Sequence, residues 1–90
     1  MFKSIDKKFE EIGFVKTREN EYGATYERED KKYKYVQVIE IMSKDSGRHI
    51  FQSYQKDVNK DGFNNVVGLT SYETKLVLKK MLKMGLKSTR

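Results

Sequence analysis

Tyr33-Lys34-Tyr35-Val36-Gln37-Val38-Ile39-Glu40-Ile41-Met42 is the stretch on which the fold turns. It lacks Gly and Pro and is dense in Tyr, Val and Ile, residues that fit a pleated, half-buried surface, so it predicts the strongest strand of the chain. Its alternation is imperfect. Tyr35, Ile39 and Ile41 fall on one side and Val36 and Val38 on the other, so neither face is purely polar. A central strand of a one-layer sheet alternates cleanly unless its second face is also covered. Two covers are open. One is a second copy or another partner seated on the sheet; the other is shielding by the neighbouring Arg48, Gln52 and Tyr54.

Outward from this strand, turn residues punctuate further strand-like segments. On the N-terminal side, Phe14–Glu19 and Ala24–Glu29 flank the hairpin loop Asn20-Glu21-Tyr22-Gly23, and Asp30-Lys31-Lys32 turns into the central strand. On the C-terminal side, Ser43-Lys44-Asp45-Ser46-Gly47 is a turn with Gly47 suited to a left-handed bulge position, and Arg48–Gln55 is a fourth strand. A polar loop from about Lys56 to Gly68 follows.

Both ends of the chain read as helix. Phe2, Ile5, Phe9 and Ile12 form one apolar stripe over Phe2–Ile12, stopped by Gly13 with Phe14 placed to touch Phe9. Thr70-Ser71-Tyr72-Glu73 is a capping box that opens a second helix, and Gly85 followed by Leu86 repeats the same kind of stop. On that helix Thr74, Val77, Leu78, Met81, Met84 and Gly85 share one face, with Lys75, Lys79 and Lys83 opposite. The order α-β-β-β-β-α with short connections predicts an α+β fold: a four-stranded antiparallel β-meander with the N-terminal and C-terminal helices packed on one face. The expected core is Phe9, Ile12, Ile39, Ile41, Phe51, Val77, Leu78 and Met81.

Ninety residues make one domain, 1–90, since two cores would each bury too little. Charged residues reach 36% and hydrophobic residues only 37%, yet five Phe, six Tyr and clear periodicity argue for a folded chain. No apolar run approaches the length of a membrane span and no export signal is visible. Zero Cys excludes a disulfide framework, and the lone His49 leaves no zinc ligand set. A cytoplasmic setting is the expectation.

The net charge is +6, and its distribution matters more than its size. Met1 to Glu73 carry 13 Lys plus Arg against 13 Asp plus Glu; Lys75, Lys79, Lys80, Lys83, Lys87 and Arg90 then follow with no acid. Steps of four residues set Lys75, Lys79 and Lys83 in one slanted row, with Lys80 and Lys87 at its margins. Such a row fits nucleic acid or an acidic host protein. Lysines late in a helix also favour the helix dipole and keep a small domain soluble, which is the competing explanation. No membrane partner is expected, because the apolar face of this helix is needed for the core.

Three other patterns carry less. Asp57-Val58-Asn59-Lys60-Asp61-Gly62 opens like a calcium loop, but the twelfth position, where a bidentate Glu belongs, is Gly68, so no metal site is expected. Lys31-Lys32-Tyr33-Lys34-Tyr35-Val36 resembles the aromatic strand of an RNA-recognition motif without its Gly or last aromatic, leaving Tyr33 and Tyr35 as stacking candidates only. Glu29-Asp30-Lys31 contains an E-x-K with no convincing carboxylate partner, and His49 has no nucleophile or carboxylate assigned by spacing. The chain predicts no enzyme and no cofactor.

Phe9-Glu10-Glu11-Ile12-Gly13-Phe14, the Tyr-rich meander, and Leu69-Thr70-Ser71-Tyr72-Glu73 through Lys79-Lys80-Met81 to Gly85 resemble small phage- and prophage-encoded proteins of Gram-positive bacteria. The resemblance spans nearly the whole chain and rests on helix ends and core positions. It implies an accessory protein, acting inside a bacterial host cell, that binds host machinery rather than catalysing a reaction. The leading expectation is a non-catalytic accessory binding protein that engages nucleic acid or a nucleoprotein through its basic C-terminal helix. The alternatives are an anti-CRISPR-like inhibitor that blocks the surface of a host defence or regulatory protein, and a homodimeric structural module.

Overall fold

The structure, a computed structural model, describes residues 4–32, 34–43, 49–57 and 65–85, the side chain of Asp57 aside. The elements are α1 (Ile5–Glu11), β1 (Val15–Asn20), β2 (Gly23–Asp30), β3 (Tyr35–Ser43), β4 (His49–Asp57), β5 (Asn65–Val66) and α2 (Ser71–Lys83). The strands lie in chain order, each antiparallel to the next, so the fold is an α+β meander with a helix at either end. The sheet has a fifth strand beyond the four expected. It falls inside the polar stretch 56–68, where Asn65 and Val66 pair with Gln55 and Tyr54 before the chain turns toward the Thr70 N-cap. Most of the calcium-like stretch, the turn glycine Gly47 and the shielding candidate Arg48 lie outside the described residues.

Local chemistry sets the helix ends. Ser4 accepts from the Lys7 amide at 3.1 Å and caps α1, which therefore opens at Ile5 rather than Phe2. Gly13 takes φ +95°, and the Gly13 and Phe14 amides reach back to Glu10 and Phe9, both at 2.9 Å. The Phe9 and Phe14 rings meet edge to face at 6.1 Å, the contact expected of that stop. Both bonds of the predicted capping box are made in α2. Between β1 and β2 the hairpin closes tightly. Asn20 Oδ1 accepts from the Tyr22 amide at 2.8 Å, and a Cβ on Gly23 would run into the Ile41 carbonyl oxygen.

Alternate residues of the sheet meet both helices on one face. Phe9, Phe14, Ala24, Tyr26, Ile39, Ile41, Leu76, Val77 and Met81 form the core, with Ile12 and Phe51 half-buried against it. One expected member is displaced: Leu78 is 50% exposed, and Leu76, at 1%, holds the core position. The residues that α2 buries are Glu73, Leu76, Val77, Lys80 and Met81, so the helix is rolled relative to its most apolar stripe.

The opposite face explains the imperfect alternation of β3. Val38 is 1% exposed although it lies outside the core cluster. Its paired neighbours are Glu27 and Tyr54. Around it Gln52 donates to Glu40 at 2.9 Å, Thr17 approaches Glu27 at 3.4 Å and Lys56 lies 3.9 Å from Glu27. The Tyr54 hydroxyl bonds Glu40 and is pushed above its ordinary pKa, first by burial and then by that carboxylate. Side chains of the same face therefore cover the valine within one chain, Gln52 and Tyr54 among them.

Candidate functional site

Lys75, Lys79 and Lys83 stand on the outward side of α2 and are exposed. Among the described residues none of the three has an ion-pair partner, and none is drawn into a hydrogen bond. The row is not purely basic. Tyr72, Leu78 and Leu82 are 47%, 50% and 70% exposed on the same side of the helix. Leu78 and Leu82 are four residues apart, so they lie one above the other beside Lys75 and Lys79.

Two of the expected binding residues need correction or fall outside view. Lys80 is not at the margin of the row. It is 6% exposed and turned inward, where its Nζ donates to Asp6 Oδ1 at 3.1 Å and Glu19 Oε1 at 2.8 Å. Lys87 lies outside the described residues, as does the stacking candidate Tyr33. Tyr35 is half-buried, and its backbone pairs with Asp30 and Asp57 at the start of β3.

The inward cluster is electrically balanced. Lys16 Nζ donates to Asp6 Oδ2 and to Glu19 Oε1, both at 2.8 Å, and the Tyr26 hydroxyl donates to Asp6 Oδ1 at 2.6 Å. Two ammonium groups thus face two carboxylates. A break in the β1–β2 register between Lys16 and Arg18 makes this possible. Residues three apart on a regular strand point to opposite faces, and the extra residue of the bulge brings Lys16 and Glu19 to the same one. Burial alone would raise the Asp6 pKa, but the bonds from Lys16, Tyr26 and Lys80 outweigh it and hold the carboxyl at about 2. Glu19 is lowered by Lys16 and Lys80, and Lys16 is raised by Asp6 and Glu19. Burial and the bond to Asp6 push Tyr26 above its ordinary value.

A second polar cluster joins the start of α2 to the sheet. Arg28 donates to the Ile12 carbonyl at 3.0 Å and to Gln37 Oε1 at 2.7 Å, lies 3.3 Å from Glu73 Oε2, and sits 4.3 Å from the Phe14 ring centroid. Gln37 passes the network on to Ser53 at 3.3 Å. Glu73 therefore has two tasks, one oxygen closing the capping box and the other facing Arg28. The capping box showed Glu73 in the sequence, whereas nothing there pointed to Arg28 as its counterpart across the fold, or to Asp6 and Glu19 as those of Lys80.

His49 Nδ1 is buried without a hydrogen-bond partner among the described residues. Among the described residues no group of three His, Cys, Asp or Glu could hold a metal ion, and no helix is long and apolar enough to cross a membrane. In comparisons with protein-family models, curated proteins and solved structures, nothing matches the chain.

Proposed function

We propose that the protein is a non-catalytic accessory binding module of phage type that engages nucleic acid or a nucleoprotein through the outward face of α2. The observation that carries this reading is the row Lys75, Lys79 and Lys83, exposed and without an ion-pair partner among the described residues. The core contacts of Leu76, Val77 and Met81 hold the helix so that the row faces water. Contact of three ammonium groups with about three phosphates gives a log–log salt slope of roughly −3 on duplex nucleic acid. Reversing all three to Glu abolishes binding and leaves the fold intact, because exposed charges usually shift stability by about 0.5 kcal/mol or less each. Binding to duplex oligonucleotides at several salt concentrations measures both effects. Equal affinity of parent and triple reversal returns the row to a solubilising role.

A second reading is favoured by Leu78 and Leu82. Half-exposed and largely exposed leucines beside lysines suit an acidic protein surface with an apolar centre better than they suit phosphates. On this reading the protein inhibits a host defence or regulatory protein by occupying its surface. Capture from host lysate with and without nuclease separates the two: a nuclease-resistant stoichiometric complex, lost on Leu78→Asp, selects the inhibitor.

A further inference from the structure

Among the described residues, the outer edge of β4 is open over part of its length. The Val67 amide donates to the Ser53 carbonyl at 3.2 Å, so the peptide groups of Ser53 point away from β3. Alternation along the strand aims those of Phe51 the same way. β5 pairs only with Tyr54 and Gln55, and the chain then leaves for the Thr70 cap. Among the described residues nothing continues the ladder past Ser53.

This edge lacks the protection given to the other one. β1, at the far side of the sheet, is bulged and carries Lys16, Arg18 and Glu19, the devices that keep strand edges from pairing further. β4 pairs with β3 in unbroken register from Tyr35↔Asp57 to Ser43↔His49, and its open stretch, Ile50-Phe51-Gln52-Ser53, has no charged residue. Against it lies a cleft of about 650 Å³, a volume in the range of ligand sites. Phe51, Leu69 and Thr74 line it on the helix side; Glu40, Gln52 and Tyr54 line it on the other.

We infer that the outer edge of β4 is a strand-addition site that takes an extended peptide segment of another protein, with apolar and basic side chains in alternation. An extended backbone matches the open rung at Phe51 and the Ser53 amide, the Ser53 carbonyl being taken by Val67. Such pairing is how sheet edges recognise peptides. Side chains of an added strand point alternately to the two walls. Those on the helix side meet Phe51 and Leu69 and are apolar. Those on the other side meet the Glu40 carboxylate and are cationic; Glu27 behind it is shared with Lys56. The raised pKa of the Tyr54 hydroxyl, due after burial to Glu40 and Glu27, reports the same negative field. This site is independent of the α2 face.

The probe is a blocked heptapeptide of alternating valine and lysine, titrated into the full ¹⁵N-labelled chain. The expected result is a shift of the Phe51 and Ser53 amides, with slowed hydrogen exchange at both. N-methylating the peptide amides of one register weakens binding by about tenfold or more, whereas methylating the other register changes it little, because only one set faces β4. Glu40→Gln keeps the acceptor oxygen and weakens binding about two- to fivefold through the lost charge. Three results overturn the inference: no binding, equal binding of both methylated peptides, or binding that leaves Phe51 and Ser53 unmoved. Sedimentation supplies a fourth, a dimer paired through this edge that the peptide does not dissociate, which assigns the edge to a second copy.

Discussion

Lys79 and Lys80 are neighbours on one helix, and the fold gives them opposite lives. Lys79 is exposed, and no described residue pairs with it. Lys80 is 6% exposed and gripped by two carboxylates, one of them 74 residues away in the chain. A desolvated ammonium is tolerated only where paired charge and good geometry repay its lost hydration. The contrast shows that the roll of a helix follows its polar anchors as well as its apolar stripe. Lys80 turned toward Asp6 and Glu19, and Glu73 turned toward Arg28, bring Leu76 inward and leave Leu78 half-exposed.

The largest expected effect tests the roll directly. Leu76→Ala costs about 2–5 kcal/mol, as for a fully buried leucine, and Leu78→Ala costs less than about 1 kcal/mol. Each kcal/mol moves the melting temperature of a domain this size by roughly 4–8 °C, so thermal unfolding separates the pair easily. Equal losses at the two positions would place the helix in a different rotation.

The lysine pair comes next. Lys80→Ala removes one partner of a buried cluster and costs about 2–3 kcal/mol, below the range for fully buried pairs because Asp6 and Glu19 are each about a third exposed. Lys79→Ala stays within about 0.5 kcal/mol. Urea unfolding of the two variants measures the gap.

The same cluster gives the protein an acid limb. Asp6 is held at about 2 against an ordinary 3.8, and Glu19 lies below its ordinary 4.5. Depressed carboxyl pKa values contribute stability that is full above the ordinary range and is lost as pH falls from about 4 toward 2. Lys16 is shifted the other way, so its contribution is full below its ordinary 10.5 and fades above it. Urea midpoints therefore vary little through neutral pH and drop below about pH 4. In Asp6→Asn that acid loss is smaller; an unchanged acid limb would place its origin elsewhere. A modest effect belongs to Glu73→Gln, which keeps an oxygen for the capping bond but not the charge facing Arg28. It costs about 1 kcal/mol, read from the same urea curves.

Much of the architecture was legible in the sequence because it rests on near neighbours. Gly13, Thr70 and Glu73 end or begin helices through bonds to residues within a few positions of themselves; the Ser4 cap is equally local, but the apolar stripe set the expected start at Phe2 instead. The four longer strands fall within a residue or two of their expected bounds, since β-branched and aromatic runs between turns report a local preference. β5 escaped notice because two residues carry no periodicity, and their pairing depends on β4 lying beside them. The lysine row was legible from its spacing. The leucines beside it were not, because a leucine reads as core until a better fit displaces it.

By itself the sequence determined the order of the two helices and the four longer strands, both helix stops, the start of α2 and a C-terminal helix rich in lysine. All of these follow from interactions that span a turn of helix or a hairpin. The tertiary structure decided which lysine is locked in and which three face water, because that choice depends on Asp6 and Glu19 arriving together under α2. Their meeting requires the bulge between Lys16 and Arg18, which turns Lys16 and Glu19 to one face of β1. It also requires α1 to bring Asp6 beside them. A charge cluster drawn from three elements has no period and no spacing along the chain. Its energy exists only once the elements are packed and water is excluded, and so only the folded chain records it.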